Sequence, residues 1–476
     1  MARLLGIDVG TTSAKAILID ESGRVLASAS AEYPLSTPQP LWSEQDPEHW
    51  WIGVQNCLQQ LPSGPFDAIG LTGQMHGAVF LDGDGEVIRP AILWNDQRTA
   101  AECALVEQAL GDELLEITLN PMLTGFQAPK ILWLRAHEPE AYRRIRSVLL
   151  PKDYIRFRLT GELASDVADA SGTGLFDVGA RKWSERIITA LDIDPGWLPR
   201  TSECHEVSGR RGDGTPIVAG AGDQAAAAVG TGAVGPGVVS VSLGTSGVVF
   251  SALPGPERHR SGAVHTFCHA NRGWHAMGVM LACGGALRWY RDVVRRGSSY
   301  HEIASAASTS IPGARGVTFL PYLSGERCPH NDSLATACFA GITLSTHARD
   351  LDRAVFEGIT FGLRDSFHLL EQMGATGDEV RVTGGGARSE FWLQLLADSL
   401  GTSCVTLEAD EGPAFGAALL AGVGVGVWKD VHSAAADCVR LRKRYDPRSS
   451  PELEEPYERF RRLYPALRSW NRKEDE

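Results

Sequence analysis

Residues 238–253 read VVSVSLGTSGVVFSAL, and residues 3–20 read RLLGIDVGTTSAKAILID. Each is an apolar, β-branched run broken by a Gly-Thr turn and then resumed, which predicts strand, tight turn, strand. At the N-terminus a third strand, RVLASASAEY, follows the turn Asp20-Glu21-Ser22-Gly23. A helix is expected from Pro47: Asp46 can cap it, Pro47 suits its first position and Glu48 its positive end. Its face carries Trp50, Val54 and Leu58, with Trp50 and Trp51 as packing residues. A short apolar strand, AIGLTG, comes next. After the second strand–turn–strand, LDRAVFEGITFGLRDSFHLLEQMG has helical spacing, and EVRVTGGGARSEFWLQLLADSLG reads as strand, glycine loop, helix. SCVTLE is a further strand, and Gly412-Pro413 opens a further helix. Two halves with one theme predict duplication of an α/β unit. The expected division is residues 1–236 and 237–435, with the boundary in the glycine-rich stretch 230–240. Residues 436–476 read as terminal helices packing back on the domains.

Bulk properties agree with two domains. The chain has 476 residues, more than the ~250–300 that one core sustains. Its formal net charge of -13 argues against nucleic acid or an anionic membrane surface as partner. Nine cysteines without a C-x-x-C pair point to reduced thiols and a cytoplasmic setting. The N-terminus enters a strand pattern directly, and no apolar run approaches the ~18 residues of a membrane span.

Residues 218–230, VAGAGDQAAAAVG, hold a single charge, Asp223. The spacing Gly220-Ala221-Gly222-x-x-Ala225 matches a dinucleotide fingerprint. That reading needs an acid about 20 residues on to bind a ribose, and no Asp or Glu lies between Asp223 and Glu257. Asp223 also directly follows the glycine that must approach a pyrophosphate, and would repel it. The carboxylate itself is therefore the point of the stretch. It stands at the start of a predicted helix, where a cap is the alternative role. A helix N-terminus favours the ionised form, so no titration near neutral pH is expected.

The turns Gly10-Thr11-Thr12-Ser13 and Gly244-Thr245-Ser246 let backbone N–H groups converge, with hydroxyls as added donors, so both suit phosphate oxygens. Neither is a P-loop. Asp8 lies at a strand end facing the first turn. An acid beside phosphate makes sense with a cation between them, which points to Mg2+. Lys15 can reach the same phosphates as a point charge. Gly384-Gly385-Gly386, between strand and helix, lets a flat ring lie against the backbone. Gln74-Met75-His76, between Gly73 and Gly77, sits at a strand end, where open α/β sheets bind ligands. There His76 offers a donor or acceptor to hydroxyls and Met75 an apolar wall. Trp94-Asn95-Asp96 suits a pocket wall or a helix cap. His265, Cys268, His269 and His275 suit zinc poorly, because in a strand His265 and His269 lie about 13 Å apart.

The chain resembles the FGGY carbohydrate kinase family over nearly its whole length. The resemblance is carried, in order, by GIDVGTTSAKAIL, PLWSEQDPEHWW, GQMHG, RPAILWNDQR, VLLPKDYIRFRLTGE, AGAGDQAAAAVG, SLGTSGVVF, FLPYLSGERCPHN and GGGARSEFW. The family's two signature regions appear as GFQAPKILWLRAH and FAGITLSTHARDLDRAVFE, the first departing at Gln127 and Ala136. The resemblance implies two duplicated actin-like, RNase-H-like α/β domains, with ATP and a small-molecule ketose in the cleft between them. It implies Asp223 as catalytic base and Asp8 on Mg2+. It sets Thr11, Thr12, Ser13, Lys15, Gly244, Thr245, Gly385 and Ser389 around the nucleotide. Gln74, Met75, His76, Asp223 and Gln224 are the implied sugar residues. The Met75–His76 pair is similar to that of members acting on D-xylulose rather than glycerol. Gln224 departs from the asparagine usual in those members. The implied activity is ATP-dependent phosphorylation of D-xylulose at its 5-hydroxyl, with D-ribulose, L-xylulose or another polyol as neighbouring substrates, by a homodimer. A non-catalytic nucleotide switch of the actin or Hsp70 type would need the phosphate turns but not GQMHG.

Overall fold

The computed structural model describes residues 2–375, 377–408 and 411–471. The N-terminal half contains strands β1 (Leu4–Val9), β2 (Ser13–Ile19), β3 (Val25–Glu32), β4 (Ala68–Gly73), β5 (Val207–Arg210) and β6 (Pro216–Val218). Among its helices are α1 (Pro47–Gln60), α2 (Pro151–Thr160) and α3 (Asp223–Thr231). The C-terminal half contains β7 (Gly237–Leu243), β8 (Gly247–Leu253), β9 (Val264–Cys268), β10 (Trp274–Met280), β11 (Gly377–Thr383), β12 (Ser403–Leu407) and β13 (Leu441–Tyr445). Its helices include α4 (Gly284–Val293), α5 (Ala348–Gln372), α6 (Glu390–Leu400), α7 (Pro413–Gly424) and α8 (Glu454–Asn471).

The first sheet runs β5-β6-β4-β1-β2-β3 and the second β9-β10-β8-β7-β11-β12-β13. Without the edge additions β5, β9 and β13 the two are the same. Three antiparallel strands, β3-β2-β1 or β10-β8-β7, are followed by two parallel ones, β4-β6 or β11-β12. This is the duplicated two-domain α/β architecture that the repeated turns predict. The first helix also starts where its residues dictate: the Asp46 side chain accepts from Glu48 N at 2.9 Å, and Trp50 and Val54 are buried beneath it.

The structure differs from the sequence reading in two places. Residues 436–476 do not hold helices alone: β13 pairs antiparallel with β12 as an edge strand. Its sequence, LRKRY, is exposed at four of five positions, so it lacks the apolar alternation that marks a strand. The second difference is helix α7, which lies between β12 and β13 of the second sheet in sequence but packs on β1, β4 and α3 of the first half. The approach is close enough to require glycine. A Cβ on Gly6 would lie 1.9 Å from the Ala414 carbonyl oxygen, and one on Gly416 would lie 1.8 Å from that of Ala226. The two sheets are thus tied by a helix that crosses between halves. The nine cysteines are all free, and among the described residues no helix is long and apolar enough to cross a membrane.

Candidate active site

Parallel pairing gathers the N-terminal candidates at one sheet edge. Asp8 and Val9 lie beside Thr72 and Gly73 of β4, and Ala221 and Gly222 lie on the other side of the same two residues. Asp8 and Asp223 therefore flank the end of β4, from which Gln74, Met75 and His76 continue.

Asp223 is the first residue of α3. Gly222 occupies the cap position, and no side chain caps this helix. Burial pushes the Asp223 carboxyl up to about 6, opposed by hydrogen bonds from Gln224. This overturns the expectation that Asp223 would not titrate near neutrality: loss of solvent outweighs the field of a short helix. Asp8 is raised to about 7, by burial and then by the like charge of Asp223, against the pull of Lys15. Its Oδ1 is buried and, among the described residues, has no hydrogen-bond partner. Two carboxylates at a poorly solvated edge, one with an orphan oxygen, are a setting in which a cation is stabilised.

Met75 and His76 are seated by glycines. A Cβ on Gly222 would come within 2.7 Å of Met75 Cγ, and one on Gly172 within 2.5 Å of His76 Cε1. His76 is held at φ 67, a left-handed conformation unusual for a residue with a side chain. Its Nδ1 lies 2.6 Å from the Gly172 carbonyl oxygen, so Nδ1–H donates there and Nε2 carries the lone pair. Burial pushes the imidazole down to about 3, so the ring is neutral. Gln74 turns the other way and braces the first turn: its Oε1 accepts from Thr11 Oγ1 at 3.1 Å, and its Nε2 donates to Gln45 Oε1 at 3.0 Å.

The rest of the first turn is also braced. Trp94 Nε1 donates to Thr11 Oγ1 at 3.1 Å, Gln45 Nε2 to Thr11 O at 2.7 Å, and Tyr33 Oη to Gly10 O at 2.6 Å. Trp94 is thus a partner of the turn. Neither Asn95 nor Asp96 caps the next helix, Ala100–Leu110, whose cap position is Thr99. Thr12 is exposed and Ser13 half-buried. Lys15 Nζ sits 2.8 Å from Glu411 Oε2, an ion pair that reaches across to the start of α7.

The C-terminal candidates also converge. Ser242 of β7 pairs with Thr383 of β11, so Gly244 and Gly384 leave neighbouring strand ends. A Cβ on Gly384 would lie 3.1 Å from Gly244 N, whereas Gly385 faces open space. Thr245 is exposed at the tip. Ser389 Oγ accepts from Trp392 N at 3.3 Å as the cap of α6. The zinc alternative has other uses for its histidines. His265 Nδ1 pairs with Asn120 Oδ1 at 2.9 Å and His269 Nε2 with Ala233 O at 3.1 Å.

Sequence reasoning missed a buried charge cluster behind Asp223. Lys152 Nζ of α2 lies 2.6 Å from carboxylate oxygens of both Asp153 and Asp166, and 3.4 Å from Asp169, all fully buried. Asp169 Oδ1 would be 3.2 Å from a Cβ on Gly222. The only signal was a lysine and an aspartate inside the apolar run VLLPKDYI.

Comparison with known proteins matches this geometry. The FGGY family of carbohydrate kinases, N-terminal domain, matches residues 3–230, and its C-terminal domain matches residues 239–425. The chain is 42% identical to the xylulose kinase of Escherichia coli (strain K12), over 97% of this chain and 99% of that protein. A xyloylose kinase from Brucella ovis superposes with a TM-score of 0.92 at 38% identity, over 98% of this chain and 100% of that one. The ligand-bound xylulose kinase from Lactobacillus acidophilus superposes with a TM-score of 0.93 at 27% identity, over 98% and 99% of the two chains. Duplicated sheets, paired Gly-Thr turns and matches to both domains across residues 3–230 and 239–425 lead to one conclusion: the chain belongs to the FGGY family of carbohydrate kinases.

Proposed function

We propose that this protein phosphorylates D-xylulose at its 5-hydroxyl, with ATP as phosphoryl donor. The observation that carries the reading is the gathering of a desolvated carboxylate, Asp223, with the Met75–His76 wall and Asp8 at the end of β4. The names of the relatives, xylulose kinases over nearly full length, support the choice of sugar.

Asp223 accepts the proton of the 5-hydroxyl as the hydroxyl oxygen bonds to the γ-phosphorus and the bond to the ADP oxygen breaks. A carboxyl near 6 is ionised at neutral pH yet basic enough to share a proton in the transition state. His76 Nε2 accepts from a sugar hydroxyl, Met75 supplies the apolar wall, and Gln224 orients the Asp223 carboxylate. Thr11, Thr12, Ser13, Gly244 and Thr245 offer hydroxyl and N–H donors to the phosphates. Lys15 joins them on leaving Glu411. Gly385 and Ser389 border the adenosine end. Mg2+, which neutralises phosphate charge, fits Asp8, whose buried oxygen has no other partner among the described residues.

Free cysteines support a cytoplasmic setting, and the family resemblance supports a homodimer, which light scattering reads directly. The deciding experiment is sugar-dependent ADP release over D-xylulose, D-ribulose, L-xylulose and glycerol. The highest kcat/KM is expected on D-xylulose; poor use of D-xylulose beside another ketose refutes the substrate, and ATP binding without any sugar turnover refutes the enzyme.

A further inference from the structure

Across the seam from His76, the C-terminal half presents an arginine that no step above uses. Arg327 lies in the loop after Gly325, and its Nη1 donates to His265 Nε2 at 3.3 Å. His265 in turn donates from Nδ1 to Asn120 Oδ1 at 2.9 Å. Asn120 is itself fixed by donating to the Thr118 and Thr266 carbonyls, each at 2.8 Å. The chain Asn120–His265–Arg327 thus spans both halves with every tautomer and amide orientation defined.

The backbone at Arg327 is pinned as well. Glu326 Oε1 accepts from the N–H of Leu281 and of Arg327, each at 2.9 Å, and Cys328 N donates to Val279 O at 3.1 Å. Glu326 makes no ion pair with the guanidinium among the described residues: burial pushes its carboxyl up to about 8, against the hydrogen bonds it accepts and the pull of the Arg327 charge. Among the described residues Arg327 makes no ion pair, and one of its five N–H donors is used. A half-buried guanidinium with so few protein partners has donors left over for water or for a ligand that accepts from it.

The position of Arg327 says which part of the ligand that is. Its charge bears on His76 and His265, while the charges bearing on Asp8 are those of Asp223 and Lys15. Phe267 joins the two imidazoles, with its ring centroid 6.0 Å from His76 and 5.3 Å from His265. Arg327 therefore belongs with the sugar wall and not with the phosphate turns. There the guanidinium, a donor whose charge bears on His76, joins an acceptor, His76 Nε2, left with its lone pair by the bond from Nδ1 to Gly172. A carbonyl oxygen next to a hydroxyl is the complement of that pair, and it is what the end of an open-chain ketose remote from the reacting hydroxyl presents.

We propose that Arg327 is a specificity-determining residue that donates to the keto oxygen of an open-chain ketose while His76 accepts from the adjoining hydroxyl, an inference that rests on the ketose-kinase reading above. The site then distinguishes a ketose from the pentitol that differs only by reduction at C2, because a buried donor loses its carbonyl acceptor in the pentitol.

The test compares kcat/KM for D-xylulose with that for xylitol and D-arabinitol, in the parent enzyme and in Arg327→Gln. The substitution is expected to lower kcat/KM on D-xylulose by about 10- to 100-fold, leave the pentitols within about twofold, and leave the KM for MgATP unchanged. The ratio of ketose to pentitol then collapses. An equal loss on all three sugars, an unchanged ratio, or a raised KM for MgATP overturns the proposal. Should Arg327→Gln fail to fold, Arg327→Lys serves, since it keeps the charge and loses the planar fork; its ratio is expected to fall at least about threefold. A parent enzyme that uses another ketose and not D-xylulose overturns the substrate reading while leaving the ketose–pentitol comparison available on that sugar.

Discussion

In the N-terminal half the Gly-Thr turn is held by side chains: Tyr33, Gln45, Gln74 and Trp94 all bond to Gly10 or Thr11. In the C-terminal half the equivalent turn is held by backbone. The N–H groups of Gly284 and Gly285, at the start of α4, donate to the carbonyls of Gly244 and Thr245 at 2.8 and 2.9 Å. The topologies are the same, so the difference lies in what surrounds each turn. Gln74 directly precedes Met75 and His76, so the first turn is coupled to the sugar wall. The second has its hydroxyl tip, Thr245, exposed and, among the described residues, without a side-chain partner. In the function proposed above, the first turn serves the phosphates and also touches the sugar side through Gln74, whereas the second serves the nucleotide alone.

The contrast breaks if chemistry does not depend on the N-terminal edge. Asp223→Asn removes the base and keeps the shape, so turnover is expected to fall at least about 10²-fold with MgATP binding retained. Near-parental turnover in that variant removes Asp223 from the mechanism. The substituted amide carries no charge to desolvate, so the effect of Asp223→Asn on stability has a defined sign. The Asp223 carboxyl is raised from 3.8 to about 6 and that of Asp8 to about 7. The folded protein therefore holds protons that the unfolded chain releases, and stability declines as pH rises from about 4 through 7. The Tm of Asp223→Asn relative to the parent is expected to be more favourable at pH 8 than at pH 5, which paired melting curves would show. The same shift gives kcat/KM for the sugar an acid limb near pH 6, about tenfold per unit below it. A profile flat down to pH 5 excludes Asp223 as the titrating base.

The two turns themselves offer a finer comparison. Thr245→Ala removes a hydroxyl proposed to donate to phosphate, about 1–3 kcal/mol in kcat/KM for ATP if the bond is charge-assisted, whereas the Thr11 hydroxyl reaches phosphate only on leaving Gln74 Oε1, so a smaller loss is expected for Thr11→Ala. Only Thr11→Ala strips partners from Gln74 and Trp94, so it alone is expected to lower Tm and raise the KM for D-xylulose. Equal effects on sugar KM from both variants refute the coupling of turn to sugar wall. The smallest change is Gln224→Asn, which shortens one amide and is expected to keep activity on D-xylulose within about threefold, in the range of one modest hydrogen bond. A switch of ketose preference would make Gln224 a substrate selector.

The sequence alone determined the features that are local in the chain. Strand–turn–strand at both starts, the Asp46-Pro47 helix entry and the placement of GQMHG after a strand follow from neighbouring residues, through propensity, capping and turn chemistry. The motif GDQ also singled out Asp223, with a helix cap as its alternative role, and the structure gives the cap position to Gly222. What sequence could not decide depends on residues far apart. The titration of Asp223 is set by how much solvent the folded edge excludes. The Lys152 cluster assembles from α2 and the segment at Asp166–Asp169, and its burial is invisible in a run of mixed polarity. Strand β13 forms because β12 offers an open edge, not because LRKRY alternates. Helix α7 packs on the first half because Gly6, Gly70 and Gly416 remove the side chains that would keep it away. Propensity and pattern act over a turn or a strand, whereas desolvation, charge pairing and close packing are set by what the fold brings within a few ångströms, and only the tertiary structure fixes that.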